Sequence, residues 1–305
     1  MFSPQSARYL IAIGSVALLA LAGCSTTPGS SSESSPSPEN SIVAAAPLPE
    51  SIQKAGEITI ATDGSLPPNN FVGPDGVTLQ GVSVDMGNAL AKVLGVKANF
   101  VNTKFASIIT GIQAGKYDVA ISGMADTEER EKQVDFVDFI ASGEIFLVPK
   151  GNPANVTSLD TVCGKRASLI AGTISVDITK QASEACVKNG KNPVTISVFP
   201  DAPTVVLQLQ NSRSDFNITA AGKAAYQAQQ LHGEVEVAGT MFNNQYNGVA
   251  IRKESPELVK AVQWAFDQIM KSGEYAAILK KWDVEEAQID QLAFNGAAAF
   301  AQEQG

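Results

Sequence analysis

Glu57-Ile58-Thr59-Ile60-Ala61-Thr62 is followed by a stretch from Val84 to Leu94, and the change of period between the two decides the fold. The first holds a short β-branched run, Ile58 to Ala61, that suits an extended strand. The second puts its apolar residues at helical spacing. Phe100-Val101 reads as the next strand. Ile108, Ile109 and Ile112 suit one face of a helix, and Gly115 ends it before a strand at Val119-Ala120-Ile121. Strand alternating with helix is the pattern of an α/β lobe.

The pattern starts afresh near Ile145. Strands are expected over 145–148, 166–170, 194–198 and 216–219, separated by helical stretches over 176–189 and 202–210. The architecture repeats without a visible repeat of sequence. A strand over 248–251 follows, then a helical tail in which Leu258, Val262, Phe266 and Ile269 fall on one stripe, with Gly273 and Lys281-Trp282 closing the last helical units. Two α/β lobes from one chain leave a cleft between them, a favoured place for a small ligand.

Working outward to the amino terminus, Arg8 precedes an apolar run from Tyr9 to Ala22 that is too short to span a bilayer comfortably. It ends in Leu21-Ala22-Gly23-Cys24, which resembles the lipobox of bacterial lipoproteins. The alternative is an ordinary cleaved signal peptide with a chance cysteine. The resemblance implies that the Cys24 thiol carries a diacylglyceryl group and becomes the mature amino terminus, anchored outside the cytoplasmic membrane. The Ser/Pro-rich stretch after it has too little apolar surface to offset its ordering entropy and reads as a tether. Folded sequence is expected from about Ile52. Setting Cys24 aside leaves Cys163 and Cys186, an even pair in an exported chain, as an intradomain disulfide or as two buried thiols. The whole chain has 305 residues, 44% hydrophobic and 17% charged, with a net charge of −9. That size supports a sizeable core, and the acidic balance lacks the basic field that gathers a phosphate backbone, so nucleic acid is not expected as a partner.

Thr62-Asp63-Gly64-Ser65-Leu66-Pro67-Pro68, Gln113-Ala114-Gly115-Lys116-Tyr117-Asp118 and Ser122-Gly123-Met124-Ala125-Asp126-Thr127-Glu128-Glu129-Arg130 resemble the family 3 extracellular solute-binding proteins of amino-acid ABC importers. Cys163-Gly164-Lys165-Arg166, Gly172-Thr173, Asn247 to Lys253 and Gly273 to Trp282 follow in the family's order. The resemblance implies a hinged two-lobe α/β binder of the Venus flytrap type. Its division here is a leader over 1–23, a tether over 24–51, a discontinuous first lobe over 52–144 and 246–305, and a second lobe over 145–245. It also implies a monomer without cofactor or metal that closes on a small polar solute and docks on an ABC permease. A ligand drives closure only through contacts absent from the open form.

Arg130 is the first candidate for the site, because a guanidinium forms bidentate, charge-assisted pairs with a carboxylate; alone it would read as a solvated helix charge. Thr127 is the expected cap of its helix, with Asp126 and Glu129 as an alternative capping box. The resemblance makes Phe105 an aromatic wall for the ligand, with a core phenylalanine as the other reading. Asp63 holds a ligand side chain or simply makes a turn. The matching positions add Leu66, Ser122, Gly123, Ala125, Ile170, Thr173, Ile174, Ser175 and Ala220, and Gly172-Thr173 offers backbone N–H groups at a helix start.

Several of these depart from the family pattern. Ala125 stands where Ser or Thr is common and Leu66 where an aromatic is common, while Ile174 and Ser175 replace frequent Thr and Gln. Ala220 replaces the aspartate that holds a ligand's α-ammonium. An enclosed ammonium without a carboxylate loses hydration uncompensated, so either Asp126, Asp63 or Asp215 supplies the charge, or the solute is a carboxylate or betaine without a primary amine. A dehydratase-like enzyme is the reading from another class. The single histidine, His232, lies in a polar connection and does not look like a general base.

Overall fold

The computed structural model describes residues 48–303. The expected leader, Cys24 and nearly all of the expected tether lie outside the described residues. The first helix, α1, spans Glu50–Ala55, so regular structure begins just inside the stretch read as tether. The strands are β1 (Glu57–Thr62), β2 (Ser65–Leu66), β3 (Asn70–Val72), β4 (Leu79–Gln80), β5 (Lys97–Asn102), β6 (Val119–Ala125), β7 (Val134–Pro149), β8 (Arg166–Ile170), β9 (Thr195–Phe199), β10 (Asn217–Ala220), β11 (Val235–Arg252) and β12 (Ala293–Phe294). The helices after α1 are α2 (Val82–Leu94), α3 (Ile108–Gln113), α4 (Glu128–Glu131), α5 (Ile174–Lys188), α6 (Ala202–Gln210), α7 (Ala221–Gln230), α8 (Pro256–Lys271), α9 (Glu274–Lys281) and α10 (Ala297–Glu303).

The main sheet runs in the order β10-β7-β11-β6-β1-β5, with β12 added to β7. Strands β5, β1 and β6 are parallel, as crossover helices require, while β7, β10 and β11 pair antiparallel. β8 and β9 form a parallel pair that meets the residue before β10 through a bridge between Ala167 and Phe216. The two long strands, β7 and β11, tie the halves of the molecule together. Their register slips between Ala238 and Phe242, between Phe242 and Gln245, and between Asn247 and Gly248. Such bulges bend a strand and re-aim its side chains; the first two lie opposite the stretch from Phe146 through Glu144 to Ser142, and the third opposite Ile140 and Asp138.

Burial separates two lobes. One apolar cluster joins Ile58, Ile60, Met86, Leu90 and Phe139 with Val262, Phe266 and Leu279; another joins Phe146, Val162, Leu169, Cys186 and Phe216. The α8 stripe predicted from sequence, Leu258, Val262, Phe266 and Ile269, is buried throughout. A third cluster spans both sides, placing Leu66, Phe105, Ile108 and Met124 against Ile170, Ala202 and Val205. Cys163 and Cys186 are joined in a disulfide with Cα atoms 5.5 Å apart, the first of the two arrangements the sequence allowed. Among the described residues no helix is long and apolar enough to cross a membrane.

Candidate functional site

β6 ends at Ala125 and the chain turns through Asp126 into α4. Thr127 is extended, and its hydroxyl accepts the Arg130 N–H at 3.2 Å, satisfying one of the helix's orphan donors. Thr127, and not Asp126, is therefore the cap. The turn throws the Arg130 side chain inward. Nη1 donates to the Ala125 carbonyl at 2.6 Å and Nη2 donates to the Gly172 carbonyl at 3.0 Å. The guanidinium carbon lies 5.6 Å from the centre of the Phe105 ring, within cation–π reach. Arg130 is only 8% exposed. Burial lowers its pKa to about 10, against the pull of Glu144, Asp126 and Asp177, so it remains a cation at neutral pH.

Gly172 explains how its carbonyl reaches Arg130. Its φ is +80°, and a Cβ there would come within 2.8 Å of the Ala106 Cα, so only glycine lets this loop approach so closely. Thr173 Oγ1 donates to the Ile170 carbonyl at 2.8 Å, and Ile174 begins α5. At the rim Lys104 pairs with Asp201 at 2.9 Å.

Asp63 takes the turn role. One carboxylate oxygen accepts the Ser65 N–H at 3.0 Å and the other the Phe105 N–H at 2.8 Å. Ser122 Oγ accepts the Asp63 N–H at 3.0 Å. Gly123 has φ +55°, and a side chain there would collide with the Asn69 carboxamide. Leu66, Phe105 and Ile170 share one apolar cluster. The structure thus brings Arg130, Phe105, Ala125, Ile170 and the Asp63–Ser122 pair together.

Ser175 and Ala220 gather instead around a residue the sequence reading missed. Glu144, on β7, pairs in register with Ala220 on β10 and is 5% exposed. It accepts from Ser175 Oγ at 3.0 Å and from Gln245 Nε2 at 3.4 Å. Burial raises its pKa, while Lys223, Ser175, Gln245 and Arg130 pull it down. A carboxylate therefore lies directly across the strand pair from the alanine that replaces the expected aspartate. Of the three alternatives considered from sequence, Asp63 and Asp215 are otherwise engaged, and Asp126 lies among acids that disfavour its charged form. Asp63 serves backbone N–H groups, and Asp215 pairs with Arg166 at 2.6 Å. Asp126 is buried beside Asp138 and Glu131. Burial and those neighbours raise its pKa, and its oxygens meet no donor among the described residues.

His232 is exposed at φ +49°, in the connection after α7, and no group of three His, Cys, Asp or Glu among the described residues could hold a metal.

The sequence profile of the bacterial extracellular solute-binding proteins, family 3, matches residues 58–285. The chain belongs to that family. It is 29% identical over 249 residues to the arginine-binding protein ArgT of Corynebacterium glutamicum, covering 81% of either chain. Among solved structures, an ancestral arginine-binding protein bound to glutamine matches with a TM-score of 0.69 and 32% identity, over 75% of this chain and 99% of that one. An ancestral amino acid-binding protein described as a precursor of cyclohexadienyl dehydratase matches with a TM-score of 0.69 and 32% identity, over 76% of this chain and 97% of that one. These family relatives are binding proteins for amino acids.

Proposed function

We propose that the chain is the extracytoplasmic substrate-binding component of an ABC importer, capturing a small polar, carboxylated solute, an amino acid or a close analogue, between its lobes. The observation that carries this reading is the Arg130 guanidinium, buried over Phe105 and reaching from the end of β6 to Gly172 on the other side of the cleft. Two of its N–H groups are spent on carbonyls, and a guanidinium has further donors for a carboxylate. Glu144 is the partner for an ammonium if the solute carries one. The first lobe is formed by 52–144 with 246–305 and the second by 145–245, and the bulged strands β7 and β11 serve as the hinge. The protein acts as a monomer, held to the membrane through Cys24 and docking closed on its permease; in that case Cys24→Ser moves it from the membrane fraction to the soluble one.

A thermal-shift screen over amino acids, betaines and small organic acids tests the reading. One class of carboxylated solute raises the melting temperature and is recovered unchanged. Turnover of a cyclic carboxylate would replace binding with dehydratase chemistry, and silence across the whole panel would overturn the binder.

A further inference from the structure

Ala220 and the start of α7 border a pocket of about 180 Å³ whose other walls none of the readings above uses. Its apolar walls include Ile140, Met241, Val284 and Phe300, and of the sequence-predicted site residues only Ala220 borders it. Its polar lining is built for one kind of charge.

Helix α7 starts at this pocket, and its cap position is Ala220, which provides no side-chain hydrogen bond. The first N–H groups of the helix have no intrahelical acceptor, and the helix dipole adds partial positive charge there. Lys223, in the first turn, lines the pocket and makes no hydrogen bond or close ion pair among the described residues. The carboxylates that act on it, Glu144 and then Asp63, are already supplied with N–H and O–H donors. Asn247 is 4% exposed, lines the same pocket, and its carboxamide oxygen has no partner; Asn244 on the same wall is in the same position. In both side chains the oxygen is the enclosed atom, and the NH2, which makes no hydrogen bond among the described residues, is the accessible end. The one acidic residue of the lining, Glu286, is exposed.

We propose that this pocket is an anion subsite, in which the α7 amino terminus, the Lys223 ammonium and the Asn247 carboxamide hold a carboxylate of the captured solute. The inference rests on the binder reading and narrows it. A solute with a second carboxylate is favoured, and one with a cationic side chain is rejected, because a second cation beside Lys223 meets like charge in an enclosed space.

Titration calorimetry of the mature chain with glutamate, glutarate, glutamine and arginine tests this. Glutamate or glutarate is expected to bind about tenfold or more tightly than arginine. Lys223→Met, and Lys223→Gln as a second variant, are each expected to weaken the dicarboxylate about tenfold while shifting glutamine by less than about threefold. Arginine binding the wild type as tightly as either dicarboxylate overturns the subsite and leaves the binder intact. Unchanged dicarboxylate affinity in both folded variants does the same. Failure of these four and of every solute in the wider screen overturns the binder itself.

Discussion

At the end of β6, Arg130 spends N–H groups on the carbonyls of Ala125 and Gly172 and lies over Phe105; at the start of α7, in the second lobe of the proposed division, Lys223 has only carboxylates beyond ion-pairing distance and a pocket that it lines. Their surroundings differ in the same sense. The Arg130 cation is fixed by a capped turn at the end of a central strand, over the apolar cluster that holds Phe105. The second lobe's cation stands on the opening turn of a helix that buries only Ala224, in a lobe with smaller clusters and a disulfide. On the proposed reading, the fixed cation takes the carboxylate that the solutes share and the free one takes the part that distinguishes them, since a side chain with few structural obligations can change without disturbing the fold.

The sharpest way to break this contrast is to remove the staple from the smaller lobe. The disulfide closes a loop of sequence separation 23, so replacing Cys163 and Cys186 by serine is expected to cost about 3 kcal/mol of stability. Calorimetry should show the loss in the transition that contains the second lobe. A loss below about 1 kcal/mol would mean that the small clusters suffice.

The acidic pair of the first lobe gives the next effect. Burial raises the pKa of Asp126 and of Asp138, and the Gly296 N–H partly offsets the rise at Asp138. A carboxyl whose folded pKa is raised contributes fully below its ordinary range, and that contribution is lost as pH rises through the raised value. Asp126→Asn keeps a neutral side chain at every pH. It should therefore add about 1 kcal/mol at neutral to mildly alkaline pH and little near pH 4, read from urea midpoints across that range.

Phe105→Leu keeps an apolar group in the cluster and removes the π face below Arg130. Affinity for the solute should fall by about 1 kcal/mol with a smaller change in stability. The reverse pattern would make Phe105 a core residue alone. Lys104→Ala removes the half-exposed rim pair with Asp201 and should change affinity by no more than about 1 kcal/mol.

Much of the fold was legible because period and burial coincide. Ile58 to Ala61, the strand over 166–170, the helix over 202–210 and the α8 stripe all lie where their patterns put them. The long strands were legible only at one end. β11 between Glu236 and Asn244 is unburied or half-buried, and its apolar residues, Val237, Ala238, Met241 and Phe242, fall in adjacent pairs and do not alternate with polar ones, so pairing with β7 is what makes it a strand. Helix α7 was missed for a related reason. Ala221-Gly222-Lys223-Ala224-Ala225-Tyr226-Gln227-Ala228 is rich in helix formers, but its one stripe, Ala221, Ala224, Ala225 and Ala228, consists of alanines alone and carries a weak apolar signal. Arg130 was readable because its motif is local. Glu144 was not, since a lone charge in a strand reads as solvated until Ser175 and Gln245 are brought to it from other elements.

The account turns on Arg130. Titrating the solute identified by thermal shift into wild type and into Arg130→Ala, with circular dichroism to establish that the variant is folded, tests it most directly. Loss of about 3 kcal/mol or more of binding free energy by a folded variant is the predicted result. Equal affinity in the two proteins would contradict the account and move the solute away from Arg130.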